Sequence, residues 1–241
     1  MLLRSKNKTL LEDDGMEIES GFVDESQPKL RGLKNVFVAV SPLLVIVISF
    51  VTARVFKPIL DAWAWAPGIL IYWITIAFFV WWGGGSASIM RWLGRSKRHW
   101  GWAVFAVILA LPALPMLLTK SHLLSGLSIW LPWLLLGLIN PWLEEGYWRG
   151  LVLDSTMQWP RWLAIIYSSA FFTLNHLVGL GTTSIACRHP IFLANVFVVA
   201  VCFGIIYSKT RSLRWLIFSH ALTDLFSLSV PVFLNLYVPP M

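Results

Sequence analysis

Trp142-Leu143-Glu144-Glu145-Gly146-Tyr147-Trp148-Arg149-Gly150 places two carboxylates and a guanidinium inside an apolar run long enough to cross a bilayer. A charge at the centre of a membrane span costs about 3 kcal/mol on insertion scales, so an ionisable residue there is a functional candidate whose partner must be found. Helical spacing supplies one partner, because Glu145 and Arg149 are four apart in the order acid before base and share a face. Glu144 is turned about 100° away and is left for another helix. The plainer alternative is an interfacial helix end with a solvated ion pair, since charges near span ends usually snorkel.

Composition extends this to the whole chain. Of the 241 residues, 57% are apolar and 13% charged, a balance that indicates a polytopic membrane protein. The net charge of +7 is unevenly spread: the first 34 residues carry seven acids and six bases, and the rest carries five acids and thirteen bases. Those bases fall mostly between apolar runs, so their expected partner is membrane lipid of the anionic leaflet; no nucleic-acid-binding motif is present. Cys187 and Cys202 have no metal-site spacing and give no sign of a disulfide or a thiol nucleophile.

Residues 1–34 lack apolar periodicity and include Glu12-Asp13-Asp14, which predicts a disordered tail. No small-residue cleavage motif follows the first apolar run, so that run is expected to remain as an anchor. Runs of spanning length recur at about 35–53, 64–82, 101–118, 127–153, 161–182, 190–207 and 213–237. They predict an all-α polytopic membrane helical bundle of about seven transmembrane helices, or eight if the last run breaks near Pro231. Pro112 and Pro115 should kink the third run, and Gly83-Gly84-Gly85 should loosen the exit from the second. Eleven loop bases (Lys29, Arg31, Lys34, Arg91, Arg95, Lys97, Arg98, Arg161, Lys209, Arg211, Arg214) fall on the side of the N-terminus and four (Arg54, Lys57, Lys120, Arg188) on the other. That asymmetry predicts a cytoplasmic N-terminus in a multi-pass integral membrane protein, of the plasma (inner) membrane if the source is prokaryotic.

With the loop charges set aside, the ionisable residues inside the predicted spans are Glu144, Glu145 and Arg149 in the fourth, His176 in the fifth, and His220 and Asp224 in the seventh. The turn at Trp159-Pro160 follows the two glutamates by about fifteen residues and precedes His176 by about sixteen. At 1.5 Å per residue both lie roughly 22 to 24 Å from the turn, level in an antiparallel hairpin. His220 and Asp224 share a face one turn apart. Taken singly, a histidine in a span is an ordinary hydrogen-bond link between helices, and Asp224 could pair with Arg149. Gathered at similar depth, the group has the composition of a catalytic or ion-conducting site. Asp154, Ser155, Thr156 and Gln158 make poor lipid-facing residues and imply a wet cavity open to the cytoplasm.

Three patterns then coincide in order: Glu144-Glu145-Gly146-Tyr147-Trp148-Arg149 as E-E-x-x-x-R, Phe172-Thr173-Leu174-Asn175-His176 as F-x-x-x-H, and His220-Ala221-Leu222-Thr223-Asp224 as H-x-x-x-(N or D). The sequence thereby resembles the CPBP intramembrane proteases, which include the type II CAAX prenyl endopeptidases and bacteriocin-processing or immunity relatives. On that resemblance residues 1–34 are a tail, 35–126 N-terminal transmembrane helices and 127–241 the catalytic transmembrane core. The resemblance implies an endopeptidase in which Glu144 activates water with His176 assisting, His220 and Asp224 stabilise the oxyanion, and Glu145 and Arg149 form a supporting ion pair. The substrate it implies is a membrane-presented peptide or protein, prenylated or carrying a leader.

One departure bears on mechanism. The best-understood members have Asn where this chain has Asp224, and an ionised carboxylate there would repel an oxyanion. Asp224 must then be protonated, orient His220, or help hold a metal. No cofactor is expected on the glutamate mechanism, while Glu144, His176, His220 and Asp224 form a chemically coherent zinc set. Rival functions are a non-catalytic immunity or partner-binding protein of the same fold, and a proton-coupled transporter, which should show two repeated halves that are not evident.

Overall fold

The computed structural model describes residues 27–96 and 100–238, so most of the expected tail lies outside the described residues. Helices α1 (Gln27–Leu60), α2 (Trp65–Phe79), α3 (Gly85–Trp92), α4 (Gly101–Ile108), α5 (Leu114–Lys120), α6 (Leu127–Glu144), α7 (Val152–Ser155), α8 (Arg161–Val178), α9 (Pro190–Thr210), α10 (Arg214–Phe226) and α11 (Ser229–Phe233) follow in order, and no strand occurs among the described residues. The protein is an all-α membrane helical bundle. The first helix starts eight residues before the expected span at 35, because its hydrogen-bond ladder continues into the polar approach.

Four segments are long and apolar enough to cross a membrane: Gly32–Trp92, which holds most of α1 and all of α2, Gly101–Leu123, Arg161–Thr182 and Pro190–Thr210. The other two expected runs differ in kind. Residues 127–155 are continuously helical but carry Asn140, Glu144, Glu145 and Arg149. The last run breaks at Leu228, whose φ of 51° lies in the left-handed region, and the five-residue α11 beyond it is too short to cross. Pro112 and Pro115 interrupt the third run with a 3-10 turn between α4 and α5. The glycines after the second run form a π-helical turn, Val80–Gly84, and Gly85 at φ 68° redirects the chain into α3.

The outer face is apolar. Val36, Phe37, Val40, Leu44 and Val47 of α1, Ile74, Phe78 and Trp81 after it, and Ile191 and Val198 of α9 are all exposed, the surface a lipid-embedded bundle presents. Inside, α1 packs on α2 and α8, α8 on α9, and α6 on α10. The last pair builds the site. A Cβ at Gly137 would sit 2.6 Å from Leu225 Cδ2, so glycine there lets α6 and α10 approach closely enough for their polar side chains to meet.

Candidate active site

Helix α6 carries Pro141 in its last turn and gives way to a π-helical segment, Glu145–Leu151, every residue of which is buried. Proline removes one backbone donor, and a wider turn admits an extra residue, a device concentrated at functional sites. Adjacent glutamates are turned apart here, as successive residues of a helix are. Glu144 meets α2, where Tyr72 donates to Oε1 at 2.8 Å, and also His220 of α10, while Glu145 meets the other nitrogen of His220. The side chain of Glu144 is 4% exposed.

Neutral donors surround Glu144. Asn140, one turn earlier, donates its Nδ2 to Glu144 Oε2 at 3.0 Å and to Asp224 Oδ2 at 3.1 Å, and its own Oδ1 accepts from Trp73 Nε1 at 2.8 Å. Trp148 Nε1 donates to Tyr72 at 2.9 Å and so fixes the phenol against the carboxylate. Among the described residues no arginine or lysine pairs with Glu144; the Arg149 guanidinium goes to its neighbour.

Arg149 Nη1 donates to Glu145 Oε1 at 3.1 Å, with side-chain exposures of 3% and 0%. This burial removes the solvated-pair alternative. Phe172 and Phe203 face the guanidinium at 4.4 and 5.6 Å from their ring centroids, adding cation–π attraction. The same carboxylate oxygen lies 2.7 Å from His220 Nδ1. Glu145 therefore orients the imidazole and turns Nε2 toward Glu144 Oε2 at 3.3 Å and Asp224 Oδ1 at 3.7 Å. A neutral ring donates from one nitrogen alone, so with carboxylates at both, either His220 holds two protons or one carboxylate holds one.

His176 sits apart from that hydrogen-bonded group. Its Nδ1 lies 3.0 Å from the Phe172 carbonyl, and its ring stacks edge-on with Phe172 at 4.5 Å, while His220 approaches the same phenyl ring at 6.4 Å. The structure thus joins Glu144, Glu145, Arg149, His220 and Asp224 directly and places His176 across Phe172 from them. Among the described residues, no group of three or more His, Cys, Asp and Glu is arranged to hold a metal ion.

The segment after Arg149 departs from the expected open funnel. Ser155 and Thr156 are buried, and each returns a hydroxyl bond to the Val152 carbonyl. Asp154 is tied down by Arg91, Trp92, Tyr207 and Arg211. A crevice of about 610 Å³ does open beside Thr156 and Met157, but Arg91, Arg95, Arg161, Lys209 and Arg211 line it. It is a basic mouth at one end of the bundle.

Tyr72, Trp73, Asn140 and Trp148 belong to the site and were not among the sequence candidates. Asn140 could have been found, because it lies one helical turn before Glu144 on the same face within a span. Tyr72 and Trp73 reach the site by tertiary packing of α2, which leaves no local signature.

The fold and the site together define a helical membrane protein with a buried carboxylate–imidazole centre. Residues 126–226 match the family model described as Type II CAAX prenyl endopeptidase Rce1-like, the segment that carries all three motifs. That match supports intramembrane endopeptidase activity in general, with membrane lipid and a peptide substrate as partners. No curated protein and no solved structure matches the chain.

Proposed function

We propose that the protein is an intramembrane endopeptidase in which Glu144 is the general base. The observation that carries this reading is the division of labour between adjacent glutamates: Arg149 neutralises Glu145, whereas Glu144 is buried among neutral donors and the His220 Nε2 atom. A carboxylate with no arginine or lysine fixed against it retains the capacity to take a proton. In the proposed reaction a water oxygen attacks the peptide carbonyl carbon as its proton passes to Glu144. The carbonyl electrons become an oxyanion, which accepts hydrogen bonds from the Nε2–H of a doubly protonated His220, whose Nδ1–H stays on Glu145, and from a protonated Asp224. The proton on Glu144 then moves to the amide nitrogen, the C–N bond breaks, and the carboxylate is restored. His176, across Phe172, assists in placing the water.

The gathering of Arg91, Arg95, Arg161, Lys209 and Arg211 around one mouth supports a cytoplasmic face at that end, and with it a cytoplasmic N-terminus. The test is comparative proteomics of membranes that contain the wild type or Glu144→Ala. A fragment found with the wild type alone identifies the client, prenylated or leader-bearing. Identical fragment sets, with the biological activity intact in the variant, would instead indicate a non-catalytic binding protein of this fold.

A further inference from the structure

Among the described residues, the buried side-chain polar atoms without a hydrogen-bond partner are Ser49 Oγ, Trp65 Nε1, Glu145 Oε2 and Asn175 Oδ1. Three of the four belong to residues that line one small cavity, whose wall also includes Tyr72 and Glu144. They come from three separate helices, α1, α2 and α8, and are 6%, 4% and 4% exposed. Unpaired polar groups in an apolar bundle are costly and usually scattered, so convergence of three on one wall points to a ligand.

The chemistry of the wall selects the ligand. Trp65 Nε1 can only donate, Asn175 Oδ1 and the Glu144 carboxylate accept, and the Ser49 hydroxyl does either. A cation would suit the oxygens but not the indole N–H; an anion would suit the indole but not Glu144. A cavity of about 20 Å³ has room for a water. Water alone at that size offers two donors and two acceptors. A Cβ at Gly179 would stand 3.0 Å from Ser49 Cβ and 3.6 Å from Asn175 Oδ1, which places both groups around one backbone glycine.

We infer that Ser49, Trp65 and Asn175 form a water-binding site against Glu144 and act as positioning residues for hydrolysis. This rests on the reading of Glu144 as the base. The site lies toward the C-terminal end of α8, near Gly179 to Thr183, whereas the basic crevice lies at the N-terminal end of that helix, at Arg161. Water is thus held on the side of Glu144 away from the basic mouth.

Radiolytic hydroxyl labelling of the full-length protein in nanodiscs, resolved residue by residue, reads the water without using activity. Trp65 is expected to label despite its burial, in the wild type and equally in Glu144→Gln, and to lose labelling in Asn175→Leu. Turnover is measured in parallel for Ser49→Ala, a mild change, and for Asn175→Leu. Each is expected to lower kcat about tenfold, the weight of one hydrogen bond, with KM unchanged. If Trp65 stays unlabelled while the half-exposed Trp63 labels, the water site is wrong. If Trp65 labels but both variants keep wild-type kcat, the positioning role is wrong. Full turnover by Glu144→Gln would overturn the assignment of the base, and labelling would still decide the water site.

Discussion

Asp154 and Glu144 lie ten residues apart on the same helical run and are both shielded from solvent, yet their surroundings are opposite. Asp154 accepts from Arg91 and Trp92 on one oxygen, at 2.8 and 2.9 Å, and faces Tyr207 and Arg211 on the other, at 2.9 and 3.3 Å. Two cations serve one carboxylate there. At the centre of the bundle, Glu144, Glu145 and Asp224 have one arginine among them, which pairs with Glu145 alone, and Glu145 Oε2 has no hydrogen-bond partner. The first arrangement is a lock joining α3, α7 and α9, with every lone pair answered. The second keeps acceptors in surplus inside a low-dielectric setting, which is unfavourable for stability and useful for moving protons.

This contrast predicts that substitutions will separate chemistry from stability. The largest effect is expected for Glu144→Gln, which should cut the cleavage rate about 10²- to 10⁴-fold, the usual weight of a general base, while the protein melts with the wild type. Its amide keeps the shape and one acceptor, so folding should not register the change. Glu145→Gln should break the pattern in the other direction. It leaves Arg149 buried without a counter-charge, a loss of about 3–5 kcal/mol, visible as a lower melting temperature and a lower detergent-solubilised yield. Activity should fall too, because the His220 ring loses its charged anchor. Asp154→Asn should cost about 1–3 kcal/mol, toward the lower end because Arg91 and Arg211 are half-exposed, with specific activity per folded molecule unchanged.

The smallest change is expected at Asp224. In Asp224→Asn the new amide can still accept from Asn140 and offers a permanent N–H where a carboxylic acid offers a proton only when protonated. Cleavage near neutral pH should therefore be preserved or raised. If Asp224 is a zinc ligand instead, activity and bound metal will fall together in this variant, as metal analysis of the purified proteins would reveal.

Much of this centre was legible in the sequence because helical spacing is local. The i,i+4 relation of Glu145 and Arg149 gave the ion pair, and the shared face of His220 and Asp224 gave the second side of the site. On depth alone the two glutamates are expected level with His176; Phe172 packs against the His176 ring and under the Arg149 guanidinium. Other features follow from non-local packing. Tyr72 meets Glu144 from α2, seventy-two residues away in sequence. The sequence places Asp154 in a wet funnel because its arginine partners lie on α3 and beyond α9, where no spacing rule connects them to it.

The most direct measurement compares cleavage of the client by chelator-treated wild type and by Glu144→Gln at equal amounts of folded protein. The account predicts that the wild type keeps its rate after metal removal and that Glu144→Gln has none above background. A wild type silenced by chelator and restored by zinc, or a Glu144→Gln protein with full turnover, would contradict it.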